Sequence, residues 1–86
     1  MPELARFDGI IIRMFAEGGG RHHRAHFHAY YGDHDAVYTL KPIERFAGEF
    51  PKDQDHKVVA WAKAHQRDLL AAWHNLRTGR SVTKIS

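Results

Sequence analysis

The run Ala25-His26-Phe27-His28-Ala29-Tyr30-Tyr31-Gly32-Asp33-His34-Asp35-Ala36-Val37-Tyr38-Thr39-Leu40 decides how this chain folds. Successive side chains of a strand point to opposite faces, so His26, His28 and Tyr30 share one side and Phe27, Ala29 and Tyr31 the other. Gly32-Asp33-His34-Asp35 favours a turn, through left-handed backbone angles and local side-chain hydrogen bonds. Ala36-Val37-Tyr38-Thr39-Leu40 then pairs back as the second arm of a hairpin. The apolar Phe27 and Ala29 belong against a core, which leaves the two histidines facing away from it.

Working outward, Phe7-Asp8-Gly9-Ile10-Ile11-Ile12-Arg13-Met14-Phe15 is rich in β-branched and aromatic residues and is closed by Glu17 and Gly18-Gly19-Gly20; it reads as one strand. On the other side Pro42 limits Ile43-Glu44-Arg45-Phe46-Ala47 to a short or edge strand before Gly48. The period then changes. Turning about 100° per residue from Val58 brings Trp61, Ala62, His65, Leu69, Ala72, Trp73 and Leu76 within roughly 120° of one another. Pro51 suits a first helical position, Asp53 and Asp55 the positive amino end, and Arg77 with Gly79 the carboxyl end, so a helix is expected from about Pro51 to Thr78. Ser81-Val82-Thr83-Lys84-Ile85 is a last short strand or a tail. The expectation is an α+β domain over residues 1–86, with a small antiparallel sheet of three to four strands covered on one face by one long helix, straight or kinked. The other face of such a sheet is left to solvent or to a partner, and dimerisation through that face or an edge strand stays open.

The 86 residues fit one domain, and the absence of cysteine excludes disulfides and thiolate metal sites. No stretch approaches about 18 apolar residues, and the amino terminus lacks a signal-peptide layout, so the expected setting is the cytoplasm. The 13 Lys+Arg against 10 Asp+Glu leave a net charge of only +3, too little to identify a nucleic-acid binder. Its distribution is more informative. Gly18–Tyr31 and Trp73–Ser86 contain no acid, the first carrying Arg21 and Arg24 and the second Arg77, Arg80 and Lys84.

Four of the eight histidines, His22, His23, His26 and His28, fall in eight consecutive residues. Three readings compete for them. With His22 as a third imidazole, His26 and His28 have the makings of a site for a transition metal such as zinc, although no carboxylate lies nearer than Asp33 and Asp35. As acid and base, His26 and His28 have the residue types for RNA cleavage, with Arg24 or Arg13 stabilising the phosphorane and Tyr30, Arg77 and Arg80 as further binding residues. As ordinary strand residues they hydrogen-bond to neighbours or to a partner protein. His65 reads as a hydrogen-bonded core histidine, and Trp61 and Trp73 as core.

The strand Phe7-Asp8-Gly9-Ile10-Ile11-Ile12-Arg13-Met14-Phe15, the motif His26-Phe27-His28-Ala29 after His22, the segment Gly48-Glu49-Phe50-Pro51 before the helix, and Trp61, His65, Trp73, Gly79 and Ile85 together resemble the bacterial domain-of-unknown-function family 4160. Arg21 stands where that family tends to have Asp, and Arg24-Ala25 replaces its two prolines. The resemblance implies a component of a toxin–antitoxin-like pair whose partner is a small protein of unknown-function family 2442 from a neighbouring gene. A non-catalytic metal-binding or regulatory module is the alternative.

Overall fold

The computed structural model describes residues 3–15 and 24–85. Five strands form one antiparallel meander in the spatial order of the sequence: β1 (Glu3–Phe7), β2 (Ile10–Arg13), β3 (His26–Tyr31), β4 (His34–Leu40) and β5 (Ile43–Gly48). Two helices follow, α1 (Lys52–Ala64) and α2 (Gln66–Arg77). The expectation of three to four strands and one long helix is therefore corrected at both ends of the chain.

The extra strand comes from Asp8-Gly9. Both residues have positive φ, 50° and 78°, so the run read as one strand folds on itself in a two-residue turn that pairs Phe7 with Ile10. Two successive left-handed residues suit the right-handed twist of the strands they join, and Asp-Gly is a favoured pair for that geometry. The helix is divided at His65, whose φ of −118° and ψ of 22° depart from helical values and whose N–H is shared between the Trp61 and Ala62 carbonyls at 3.1 and 3.2 Å. Pro51, with ψ of 144°, precedes the first helical residue rather than being it. At the carboxyl end Ile85 N–H bonds to the Leu4 carbonyl at 2.7 Å, but the described part of the tail forms no strand. Ile43–Gly48 is an edge strand, as Pro42 implied.

Both helices lie against the same sheet face. Ile10, Ile12 and Met14, then Phe27 and Ala29, then Ala36, Tyr38 and Leu40 meet Val58, Ala62, Leu69, Ala72 and Trp73 in a continuous buried core. The Phe27 and Tyr38 rings stack at 5.3 Å, and Trp61, half-buried rather than fully in the core, sits edge-on to Phe27 at 6.2 Å. His65 is not a core residue. The break leaves it half-buried, packed on Trp61 at 5.1 Å with Nδ1 3.9 Å from the Asp68 carboxylate.

Tyr38 ties the sheet to α1, its hydroxyl donating to the Asp55 carboxylate at 2.7 Å. Burial, aided by that bond, holds the phenol well above its ordinary value of 10.0. The unfolded chain thus gives up this proton at a lower pH than the folded one. The contribution is complete below about pH 10 and is lost as pH rises from there toward the folded value. Tyr38→Phe is expected to cost about 1–3 kcal/mol at neutral pH and to flatten the alkaline loss of stability, as urea denaturation at neutral and alkaline pH will show.

Candidate functional site

The sheet face away from the helices is built by alternation. β3 places Phe27 and Ala29 in the core, so His26, His28 and Tyr30 project from the opposite side, as the hairpin reading required. On β2, Ile10 and Ile12 are core residues, which puts Ile11 and Arg13 on the open side, where register pairs Ile11 with Tyr30 and Arg13 with His28. Thr39 pairs with His26 from β4, and its hydroxyl donates to the Pro42 carbonyl at 2.7 Å.

Rings cross this face in sequence. The series starts from the core, where the buried Trp73 of α2 lies 5.0 Å from His26; His26 lies 5.3 Å from His28, and His28 lies 6.4 Å from Tyr30, nearly parallel to it. Phe15 meets His28 edge-on at 4.7 Å. At the outer strand Phe46 is 61% exposed, and the Arg24 guanidinium carbon stands 5.8 Å from its ring centroid, within cation–π range. His26 Nδ1 is 2.8 Å from the Arg24 carbonyl oxygen. That oxygen can only accept, so Nδ1 carries the hydrogen and Nε2 is the lone-pair nitrogen of the neutral ring.

Charge on this face is arranged by position. Arg13 and Arg24 stand toward the end of the sheet where His26 lies, while Asp35, paired with Tyr30, is at the hairpin end and Glu44 is on the outer strand. Glu3 is occupied: Arg6 bonds to it at 2.8 Å, and Arg13 and Lys84 approach it at 3.9 and 3.7 Å. The Arg6 hydrogen bond, with these three cations, holds the Glu3 carboxyl below its usual value.

Of the residues singled out in the sequence, His26, His28, Tyr30, Arg13 and Arg24 are thus gathered on one face. Arg77 and Arg80 are exposed at the end of α2, Arg77 one helical turn beyond Trp73. His22 and His23 lie outside the described residues, and among the described residues no three His, Asp or Glu side chains are grouped to hold a metal ion. Phe15, Phe46 and the contact of Trp73 with His26 were not anticipated. Phe15 was legible, because it follows Ile11 and Arg13 in the same alternation. Phe46 was not, since the register shifts opposite Val37/Tyr38 and an extra residue enters the outer strand there. A separate groove of about 580 Å³ between α2 and the tail is lined by His65, Asp68, Asn75, Ser81, Thr83 and Lys84 among others, and includes none of the predicted site residues.

The fold and this face define an α+β protein with helices on one side of a meander sheet and an aromatic, arginine-flanked surface on the other. Residues 9–74 match the family described as Domain of unknown function (DUF4160), and the chain belongs to that family. No curated protein and no solved structure matches it. Among the described residues no helix is long and apolar enough to cross a membrane.

Proposed function

We propose that this chain is a single-stranded RNA-binding module that lays its ligand across the open sheet face, and that it is the RNA-facing member of the toxin–antitoxin-like pair its family resemblance implies. The observation that supports this is the row His26, His28 and Tyr30, flanked by Phe15 and Phe46, with Arg13 and Arg24 beside it. Unstacked bases take aromatic platforms of any sequence, each worth about 1–3 kcal/mol, and guanidinium groups track the phosphates between them. Double-stranded ligands hide their base faces and fit such a surface poorly.

Titration of labelled single-stranded oligonucleotides at several salt concentrations tests the proposal. Binding should weaken linearly on a log–log plot against salt, with Arg24→Ala reducing the slope by about 0.7 for each phosphate it no longer neutralises. Phe46→Ala should weaken binding roughly 5- to 100-fold, the equivalent of removing one stacked base, while leaving the fold intact. A chain that binds no single strand, but associates with its neighbouring gene's product in a way that Phe46→Ala abolishes, would make this face a protein-docking surface and overturn the RNA reading.

A further inference from the structure

The open face carries more than a binding platform needs. Stacking requires only rings, yet the two residues at its centre are imidazoles, whose ring nitrogens can both accept and donate a proton. Building on the RNA reading above, we propose that His26 and His28 form an RNA-cleaving centre, in which His26 takes the proton of a ribose 2′-hydroxyl and His28 supplies a proton to the leaving 5′-oxygen.

The roles follow from position. The Arg24 carbonyl, 2.8 Å from Nδ1, fixes the tautomer that places the lone pair of neutral His26 on Nε2, and Trp73 at 5.0 Å backs the ring. A general base needs that arrangement: one nitrogen anchored and the other basic. His28 is oriented by Phe15 edge-on at 4.7 Å and Tyr30 at 6.4 Å. The His26 and His28 rings stand 5.3 Å apart, a span across which two oxygens on opposite sides of one phosphorus can each come within hydrogen-bond reach, about 2.6–3.2 Å, of its own imidazole. Arg13 is paired with His28 in the register, and its guanidinium, 3.9 Å from the Glu3 carboxylate, is the nearby cation that would turn to the charge gathering on the phosphorane.

The step balances without a co-reactant. The 2′-oxygen forms a bond to phosphorus, the bond from phosphorus to the 5′-oxygen breaks, and one proton enters His26 while one leaves His28. The products are a 2′,3′-cyclic phosphate and a free 5′-hydroxyl, and exchange with water resets both imidazoles. A deoxyribose strand lacks the nucleophile and must be inert.

The experiment uses the full chain, freed of any tag and held in excess chelator, with a mixed-sequence single-stranded oligoribonucleotide and its deoxyribose counterpart. The RNA is expected to be cut to cyclic-phosphate ends with a bell-shaped pH dependence, and the DNA left whole. His26→Ala and His28→Ala should each lose roughly 100-fold or more in the cleavage rate read at saturating protein, where the weaker binding expected from a lost stacking ring no longer counts. Should either alanine variant misfold by circular dichroism, His26→Asn or His28→Gln takes its place with the same expectation. RNA bound but left uncut by the wild-type chain would overturn the cleavage proposal and leave the binding module standing. Cutting that survives in both histidine variants also overturns it, and absence of any RNA binding removes both readings together.

Discussion

Phe27→Ala is expected to remove about 3–5 kcal/mol of stability, the usual cost of truncating a fully buried aromatic side chain. Phe27 has no exposed surface, stacks on Tyr38 at 5.3 Å and takes the edge of Trp61 at 6.2 Å, so the variant gives up packing against both the sheet and α1. Domains of this kind have only about 5–15 kcal/mol in total, and a large share of the molecules should unfold at modest urea. Phe46→Ala deletes the same side chain from the same sheet, but from its open face, and should shift stability by no more than about 0.5 kcal/mol. Urea denaturation followed by far-ultraviolet circular dichroism compares the two. Similar midpoints for both variants would contradict the assignment of the two faces.

Gly48→Ala is expected to cost about 2–4 kcal/mol, a large effect for one methyl group, because crowding adds to the conformational penalty of a left-handed residue. Gly48 closes β5 at a φ of +83°, where a side chain is strained, and an added Cβ would run into the Asp35 carbonyl oxygen and come within 2.8 Å of the Ala36 Cα. Those atoms are backbone and cannot rotate away. Gly32→Ala is the comparison. Its φ is also positive, +56°, but nothing lies within 4 Å of the added carbon, and only the conformational cost of about 1–2 kcal/mol is expected. A difference in urea midpoint between the two variants measures the steric part alone; equal losses would place β5 differently against the start of β4.

Most of the open face was legible before folding. Alternation in His26-Phe27-His28-Ala29-Tyr30 separates core from surface wherever one side is apolar, because a slip of one residue would bury both imidazoles. The edge position of β5 followed from Pro42, and the packing of Trp61 on Phe27 from the stripe around Val58. The first strand misleads because Ile10, Ile11 and Ile12 make one apolar run and outweigh the Asp8-Gly9 turn that divides the segment. The stripe through His65 also reads as continuous, because a break of one residue between two helices barely disturbs the spacing of Trp61, Leu69 and Trp73.

By itself the sequence determined the strand alternation, the change of period after Pro51 and the family, since each depends on residues close together along the chain. Only the tertiary structure decided which groups from different elements meet. α2 turns at His65 and sets Trp73 against His26, an interaction between residues far apart in the sequence. The added residue opposite Val37/Tyr38 places Phe46 beneath Arg24. Spacing along the chain carries no signal for such meetings, because helix packing, strand register and bulges bring the residues together only after each element has formed.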